Sequence, residues 1–330
     1  MENGDAAIIA DPNSKGYDFA IGVYNHLLYK PKRDFEVDLV TVKREDFKDG
    51  EFKLRIAKNV RRRQCYLIHD SNKSPSDWYT ELNFVLDALK FSSPEEINVV
   101  LPYTRFARQE RKDESRVSVN AKALAKMIST YADRAMTVDL HNPAMQGFFD
   151  IPFDNLYSFP TLIDYLGSKH PLIFEDLAVV SPDMGGAKRV RSLAKRLRAS
   201  GLEVNVAIGD KIRLKDNVVD KVVIIGDVKD RNCLIVDDMI DTGGTIAMTE
   251  ASLRENGAKS VYAYGTHGLF SAGLERFSTL DKLFVSDTLV NSGSPNLETI
   301  SLIPLFGEAI YRTIKGDSLS ALFDSVETKR

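Results

Sequence analysis

The chain has 330 residues, of which 43% are hydrophobic and 28% are charged, and this length is sufficient for two domains with buried cores. Its 44 basic and 47 acidic residues give a formal net charge of −3, so the overall field does not favour nucleic acid as a partner. No apolar run approaches the roughly 18 residues that span a bilayer, and the N-terminus lacks a secretory pattern. A cytoplasmic location without membrane contact is therefore expected. Cys65 and Cys233 are expected to be buried, reduced thiols.

Short apolar runs alternate with amphipathic segments along the chain. The runs predicted as strands begin at Cys65, Ile97, Leu177, Val222 and Cys233. The segments predicted as helices, from apolar residues near a 3.6-residue period, are 78–89, 119–128, 186–197 and 245–256. This alternation favours parallel sheets with helices on both faces.

An internal similarity predicts the number of domains. Residues 60–70 read VRRRQCYLIHD and residues 228–238 read VKDRNCLIVDD, and each copy precedes a loop, an amphipathic helix and another strand. Two copies of one fold are therefore expected, with a chance match as the alternative. The turn-rich stretch 147–160 places the boundary near Phe159, giving domains 1–159 and 160–330. Packing of the last helix against the first domain is left open.

The segment 233–245, CLIVDDMIDTGGT, combines a buried strand, adjacent acids, a glycine loop and a helix start. Asp237 and Asp238 can accept hydrogen bonds from a vicinal diol or take part in binding magnesium. The glycines and threonines that follow suit a phosphate at a helix N-terminus. The segment predicts a pocket for a phosphorylated ribose, and the alternative is an acidic turn that caps the helix.

This segment resembles the phosphoribosyl pyrophosphate binding motif that type I phosphoribosyltransferases share with phosphoribosyl pyrophosphate synthetases. The motif does not separate enzymes that consume the activated sugar from those that make it. Further resemblance to the synthetases lies in FKDGE (47–51), PYTRFARQERKDESR (102–116), VDLHNPAMQGFFDIPFD (138–154), SPDMGGAKR (181–189) and DKIR (210–213). The chain thus resembles the ribose-phosphate diphosphokinase family. The resemblance implies two tandem type I phosphoribosyltransferase-like domains, each an α/β domain with a mainly parallel sheet flanked by helices.

The resemblance also implies roles for individual residues. Catalysis would fall to Lys211 and Arg213. ATP would contact Phe47, Asp49, Glu51, Arg108, Gln109 and His141. Ribose 5-phosphate would contact Asp237, Asp238, Asp241, Thr242, Gly243, Gly244 and Thr245. The pyrophosphate loop would contain Asp183, Gly185 and Gly186, and the metal residues would be Asp139, His141, Asp150, Asp154 and Asp183.

Each of these segments also has a plain structural alternative. The alternatives are a hairpin turn at 47–51, a solvated charged face at 102–116, a hydrogen-bonded structural histidine at 141 and a basic surface turn at 210–213. No GxxxxGK[ST] sequence occurs in the chain, which argues against a P-loop kinase.

The implied reaction transfers the diphosphoryl group of Mg-ATP to the C1 hydroxyl of ribose 5-phosphate, giving phosphoribosyl pyrophosphate and AMP for nucleotide biosynthesis. Mg²⁺ is the implied cofactor, and a homo-oligomer, dimer or hexamer, is the implied assembly. The N-terminal region, the segment 69–78 and the C-terminal tail depart most from common family members. Such regions form subunit contacts and bind regulators in the family, so regulation by phosphate or ADP is left open.

Three rival interpretations remain. A phosphoribosyltransferase shares residues 237–245 but has no need of the ATP-binding segments or a second domain. A non-catalytic regulatory subunit would keep the fold but lose catalytic positions, whereas this chain keeps His141, Lys211 and Arg213. A magnesium-independent binding module would leave the acids without a purpose.

Overall fold

A computed structural model describes residues 5–212, 221–291 and 293–323. The described chain forms two compact units. The N-terminal unit contains residues 5–157, Thr288–Val290 and Leu302–Ser320, and the C-terminal unit contains Ser158–Asp287 and most of the remaining described residues. None of the helices in these described ranges is long and apolar enough to cross a membrane.

Each unit is built on a seven-stranded sheet. The N-terminal unit has strands β1 (Ala6–Ala10), β2 (Val37–Asp46), β3 (Phe52–Ile56), β4 (Gln64–Ile68), β5 (Glu96–Leu101), β6 (Arg134–Val138) and β7 (Phe153–Leu156). The C-terminal unit has strands β8 (Leu177–Ser181), β9 (Val204–Ile212), β10 (Lys221–Ile225), β11 (Asn232–Ile240), β12 (Ser260–Gly268), β13 (Lys282–Ser286) and β14 (Leu297–Ile300). The helices are α1 (Tyr17–Leu28), α2 (Pro75–Phe91), α3 (Asn120–Tyr131), α4 (Phe159–Lys169), α5 (Ala187–Ala199), α6 (Gly244–Glu255) and α7 (Ile303–Lys315).

The two sheets have the same strand order. The first is β3-β2-β1-β4-β5-β6-β7 and the second is β10-β9-β8-β11-β12-β13-β14. In each sheet an antiparallel hairpin forms one edge, β2–β3 or β9–β10, and the other neighbouring strands are parallel. The prediction of two mainly parallel α/β domains is confirmed.

The equivalence of the units extends to individual backbone groups. Arg62 and Asp230 lie 168 positions apart, and both have a positive φ, 60° and 59°. The N–H of Arg62 donates to Ser93 O at 3.1 Å, and the N–H of Asp230 donates to Gly257 O at 2.9 Å. An unusual backbone conformation that recurs at equivalent positions, each with a hydrogen-bond partner that follows the next helix, indicates duplication and not a chance match.

Three predicted features differ in the structure. The turn-rich stretch 147–160 contains β7, because Phe153 and Leu156 are buried beside β6 despite the intervening Asp and Asn. The strand at Val222 pairs antiparallel with β9, as the second arm of an edge hairpin. Strand β11 continues to Ile240, so Asp237 and Asp238 lie within the strand and not after it.

The core of the N-terminal unit shows why the sequence takes this form. In α2 the buried residues Trp78, Leu82 and Leu86 recur at four-residue spacing and pack on the sheet. The helix begins earlier than predicted because the Ser74 side chain accepts a hydrogen bond from Asp77 N and Pro75 occupies the first turn.

Helix α7 belongs to the N-terminal unit although it is the last helix described. It packs on α1, where the rings of Phe19 and Phe306 meet edge to face with centroids 5.4 Å apart. The hydroxyls of Tyr66 on β4 and Thr313 on α7 lie within hydrogen-bond distance, at 3.1 Å. The C-terminal segment therefore helps to complete the core of the first unit.

The two cysteines occupy equivalent positions in the central strands β4 and β11. Both are free and buried. Burial raises the pKa of each thiol to about 12, so both stay protonated at neutral pH. Both side chains pack in the hydrophobic cores of their units.

Candidate active site

The first of the predicted sugar-phosphate residues lie on a part of β11 that extends beyond its neighbour β8. β11 pairs with β8 only as far as Ile235, but it pairs with β12 through Ile240. Asp237 and Asp238 lie in this extension, at the carboxyl end of a parallel sheet. Open α/β sheets bind ligands at this edge.

The two acids share one arginine. Arg189, in the first turn of α5, places Nη1 2.8 Å from Asp237 Oδ1 and Nη2 2.7 Å from Asp238 Oδ1. The backbone N–H of Asp238 also donates to Asp237 Oδ1, at 2.9 Å. Arg189 therefore bridges the two carboxylates, with Asp238 only 3% exposed and Asp237 24% exposed. Sequence analysis assigned no role to Arg189, although it ends the segment SPDMGGAKR.

The closeness of the two carboxylates affects the titration of Asp237. Burial raises the pKa of its carboxyl, the charge of Asp238 raises it further, and Arg189 opposes both. An acid whose pKa is higher in the folded protein than in the unfolded chain favours folding while it is protonated. That advantage is lost as the pH rises through the folded-state pKa.

Asp237→Asn is expected to raise the free energy of unfolding by about 1 kcal/mol near pH 8, with little effect near pH 4. The amide removes a charge that burial and Asp238 disfavour, and leaves Arg189 paired with Asp238. Denaturant unfolding at both pH values measures the effect. Asp227→Asn, which removes an exposed acid paired with Arg231, is the control and should change stability by less than about 0.5 kcal/mol. A loss of stability at pH 8 in Asp237→Asn would contradict the charge argument.

The loop after β11 turns sharply into α6. Gly243 has φ +77°, and a β-carbon there would lie 2.3 Å from Cζ of the fully buried Phe277. Only glycine fits both the backbone conformation and this contact. α6 begins at Gly244, and no side chain in the part of the chain described here caps its first turn. The first N–H groups of α6 therefore face the loop 241–245, which weakens the alternative that this segment only caps a helix.

A second arginine lies beside this loop. The turn Glu275–Phe277 buries Phe277 beneath Gly243 and places Arg276 Nη1 3.5 Å from the position of a β-carbon on Gly244. Nothing in the sequence around Arg276 identified it, because ERF in a surface turn resembles any solvated basic residue. The structure thus brings a guanidinium to the N-terminus of α6.

The predicted pyrophosphate loop follows β8 and leads into α5. The Asp183 carboxylate accepts a hydrogen bond from the N–H of Gly186, at 3.0 Å. The Ser181 hydroxyl donates a hydrogen bond to the backbone oxygen of Asp183, at 2.6 Å. Asp183 and Gly185 are both exposed. Asp183 therefore has a structural role in the turn that leads into α5, and its role in binding stays a prediction.

Lys211 lies next to the end of β9, opposite Val222 in the β9–β10 hairpin, and is exposed. Arg213, the other member of the predicted catalytic pair, lies outside the described residues. The hairpin thus carries Lys211 to the edge of the C-terminal unit.

The equivalent hairpin of the N-terminal unit carries the predicted ATP segment. The turn between β2 and β3 is closed by Phe47 N donating to Glu51 O at 2.7 Å, and the Asp49 carboxylate accepts the N–H of Glu51 at 3.1 Å. Phe47 is 44% exposed. The segment is a hairpin turn, as the structural alternative held, and it presents an aromatic ring and two carboxylates to solvent.

Arg108 and Gln109 lie in the long connection between β5 and α3. Gln109 Nε2 donates to Arg111 O and to Asp113 Oδ1, both at 3.1 Å, and Gln109 O accepts the N–H of Ala121 at the start of α3. Asn142 Nδ2 lies 3.5 Å from Glu110 Oε1. The connection therefore lies next to the segment that contains His141.

The predicted metal residues of the N-terminal unit lie at two different edges of its sheet. Asp139 and His141 follow β6 at the carboxyl edge, and Asp139 has a positive φ of 43°. Asp150 is beside Ser129 near the end of α3, and Asp154 on β7 pairs with Arg134 at the start of β6, at 2.5 Å. The structure brings the first two together but not the second two.

Among the residues that the structure describes, no group of three or more His, Cys, Asp or Glu side chains is arranged to hold a metal ion. Magnesium sites often use only one or two protein carboxylates together with waters and substrate phosphates. Asp139 and His141 offer one oxygen and one nitrogen donor in one segment, which is fewer than a site made only of protein ligands needs.

Known proteins resemble this chain over most of its length. Residues 17–131 match the family model described as the N-terminal domain of ribose phosphate pyrophosphokinase, and residues 214–324 match the phosphoribosyl synthetase-associated domain. The ribose-phosphate pyrophosphokinase of Chlorobaculum tepidum is 44% identical over 293 residues, covering 87% of this chain and 88% of the relative. That of Hyphomonas neptunium is 43% identical over 286 residues, covering 84% and 90%.

The chain belongs to the ribose-phosphate pyrophosphokinase family. A crystal structure of phosphoribosylpyrophosphate synthetase from Mycobacterium smegmatis superposes with a TM-score of 0.82 at 31% identity, covering 94% of this chain and 99% of that one. The resemblance found in the sequence is thereby confirmed, and so is the expectation of an enzyme with a kinase-type transfer reaction. The family models leave residues 132–213 unmatched, a range that contains Asp139, His141, Asp183 and Lys211.

Proposed function

We propose that this chain transfers the diphosphoryl group of ATP to the C1 hydroxyl of ribose 5-phosphate, giving phosphoribosyl pyrophosphate and AMP. The observation that carries the proposal is the pair Asp237 and Asp238, held by Arg189 beside the uncapped start of α6. Acids that accept hydrogen bonds from a diol, next to N–H groups that bind phosphate, match a phosphorylated ribose. A phosphoribosyltransferase would share this site but not the family membership of the whole chain.

The proposed sugar site lies within the C-terminal unit. The ribose hydroxyls would donate hydrogen bonds to the carboxylates of Asp237 and Asp238. The 5-phosphate would accept hydrogen bonds from the N–H groups of the loop 241–245. Asp241, Thr242 and Thr245 would complete the loop, while Gly185 and Gly186 would leave room near the C1 position for diphosphate oxygens.

The proposed nucleotide residues lie within the N-terminal unit. Phe47 would stack on the adenine, and Asp49 and Glu51 would accept hydrogen bonds from its amino group. Arg108 would pair with the triphosphate and Gln109 would contact the base. These assignments stay predictions, as do a cytoplasmic location, a homo-oligomeric assembly and regulation by phosphate or ADP.

Mg²⁺ fits Asp139 and His141, which offer an oxygen and a nitrogen donor at one edge of the sheet and leave other positions to phosphates and water. When bound, it would neutralise charge on the triphosphate. Asp183 would take part in binding metal within the C-terminal unit. Asp150 and Asp154 would contribute through the segments that they support.

The reaction is an in-line displacement. The C1 hydroxyl oxygen attacks the β-phosphorus, the bond from that phosphorus to the α,β-bridging oxygen breaks, and AMP leaves with the bridging oxygen while the hydroxyl proton passes to water. Charge accumulates on the oxygens of the transferred group, so positioning and cationic side chains supply most of the catalysis. Lys211 and Arg213 would stabilise that charge without forming a covalent intermediate.

Arg276→Met is expected to raise KM for ribose 5-phosphate by about 10- to 100-fold, because a charge-assisted hydrogen bond to the 5-phosphate would be lost. KM for ATP should change by less than about twofold. Initial-rate measurements with each substrate varied separate the two constants. Arg231→Met is the matched control, since Arg231 precedes β11 at the opposite edge of the sheet. An unchanged KM for ribose 5-phosphate would remove Arg276 from the site.

The proposed function is tested with purified chain, ATP, Mg²⁺ and ribose 5-phosphate, following AMP and the activated sugar by chromatography. Stoichiometric formation of both, dependent on the sugar, supports diphosphoryl transfer. Absence of turnover with varied phosphate and nucleotide would favour a non-catalytic subunit of the family.

A further inference from the structure

The β2–β3 hairpin extends beyond the sheet of the N-terminal unit. β2 pairs with β1 only over Val37–Thr41, whereas residues 42–46 pair with β3 alone. A two-stranded ribbon is marginally stable in water unless other elements support it. The turn 47–51 at its tip therefore depends on side-chain contacts for a fixed position.

A chain of buried charges supplies one such contact. Glu81 on α2, with a side chain only 7% exposed, pairs through Oε1 with Arg44 of the hairpin and through Oε2 with Lys73. Lys73 is 14% exposed and also lies 2.6 Å from Asp11, which follows β1. We call Asp11, Lys73, Glu81 and Arg44 the ion chain. It connects the hairpin, the helix α2 and the end of the strand β1.

Arg44 also joins the two strands of the hairpin. Its guanidinium lies 4.0 Å from the ring centroid of Phe52 on β3, and its Nε lies 2.6 Å from Asp46 Oδ1. The ring of Phe52 is 5.5 Å from that of Phe84 on α2. One side chain thus attaches both strands to α2, three residues before the turn begins.

The ion chain itself contains two cations, Arg44 and Lys73, and two acids, Glu81 and Asp11. Arg44 also pairs with Asp46, which lies outside the ion chain. His69, which lines the same region, is neutral at physiological pH because burial lowers its pKa to about 4, and the carboxylate of the neighbouring Asp70 accepts the N–H of Asn72. Removing one buried partner leaves the other charge uncompensated.

The space beside the ion chain is too small for a substrate. The cavity lined by Asp11, His69, Asp70, Lys73 and Glu81 measures about 20 Å³, enough for a single water molecule. In the duplicated fold, His69 and Asp70 occupy the positions of Asp237 and Asp238. The N-terminal unit therefore has internal ion pairs where the C-terminal unit has its sugar-phosphate site.

We propose that the ion chain positions the hairpin turn 47–51 for the nucleotide, with Glu81 as its central positioning residue. The inference rests on the proposed function in that it takes the turn as part of the ATP site. Its structural half, that the ion chain holds the hairpin in place, is independent of any substrate. The structural half and the half that concerns ATP are each tested by a separate measurement.

Glu81→Gln keeps the size of the side chain and removes its charge. Amide hydrogen exchange of residues 42–56 in the free protein should become faster by about tenfold, because the hairpin loses its anchor on α2. KM for ATP should rise by about tenfold or more, with kcat and KM for ribose 5-phosphate changing by less than about twofold. This split between constants is not expected from a general loss of stability.

Glu45→Gln is the matched control, since it makes the same chemical change on the same hairpin. Glu45 forms an exposed pair with Lys53, at 2.9 Å, and exposed pairs contribute little. Its exchange rates and Michaelis constants should stay near those of the unchanged protein. Arg44→Gln removes the hairpin end of the ion chain and leaves α2 intact, so it replaces Glu81→Gln if that variant does not fold, with the same expected results.

The outcomes distinguish the inference from the proposed function. Unchanged hydrogen exchange in residues 42–56 would overturn the inference whatever happens to the kinetics. Faster exchange with an unchanged KM for ATP would overturn the assignment of the turn to the ATP site. Faster exchange confined to the hairpin, together with the rise in KM for ATP, supports both.

Discussion

Lys211→Ala is expected to lower kcat by about 10²- to 10³-fold while KM for ATP changes by less than about threefold. Lys211 lies in the β9–β10 hairpin at the edge of the C-terminal unit, and the proposed mechanism needs positive charge where the transferred oxygens become more negative. A contact made mainly in the transition state affects turnover rather than ground-state binding. Steady-state kinetics with both substrates varied measures the two effects.

Lys221→Ala is the control for this experiment. Lys221 is an exposed lysine on the other strand of the same hairpin, opposite Ile212, and its Nζ lies 3.8 Å from Glu255 Oε2. Its removal should leave kcat within about twofold. Near-normal turnover in Lys211→Ala would remove Lys211 from the catalytic role.

Gly243→Ala is expected to lower the free energy of unfolding by about 2–5 kcal/mol. Part of this loss comes from the left-handed backbone at φ +77°, and part comes from a β-carbon 2.3 Å from Cζ of Phe277. Phe277 is fully buried, so a shift of its ring would disturb the packing around it. Denaturant unfolding of the variant measures the loss.

Gly244→Ala, one residue later, separates the local clash from a general effect of adding a methyl group. Gly244 is in the first turn of α6 and has an ordinary φ, and the nearest atom to its added β-carbon is Arg276 Nη1 at 3.5 Å. Alanine there should leave stability unchanged or raise it by about 0.5 kcal/mol. Equal losses in both variants would contradict the account of this loop.

The central strands of both units could be predicted from sequence because they are buried on both faces. The runs at Cys65 and Cys233 are continuous apolar segments, and their repetition revealed the duplication. Edge strands gave weaker signals. β2 and β3 face solvent on one side, so charged residues interrupt their pattern, and β7 is a short strand with Asp and Asn in its interior.

The sequence predicted those parts of the candidate site whose residues lie together in one contiguous segment. The loop 241–245 is such a segment, and its turn into α6 follows from its glycines. Contacts between segments distant in sequence were not predictable. Arg189 reaches Asp237 from another element, and Arg276 approaches Gly244 only because Phe277 fills the space below Gly243.

The same limit explains the predicted metal residues. Asp139 and Asp154 lie in one sequence segment, but β6 and β7 run parallel, so the chain returns to the amino edge before Asp154. Asp154 therefore meets Arg134 and not His141. Proximity in sequence is a poor guide where a strand and its connection intervene.

The central claim, attack on the β-phosphorus, is tested most directly with ATP that carries ¹⁸O in the α,β-bridging position. Phosphorus NMR of the products then shows where the label goes after incubation with ribose 5-phosphate and Mg²⁺. The account predicts sugar-dependent AMP that carries the label, together with an unlabelled diphosphoryl group on the sugar. Label in the diphosphoryl group, or no AMP at all, would contradict it.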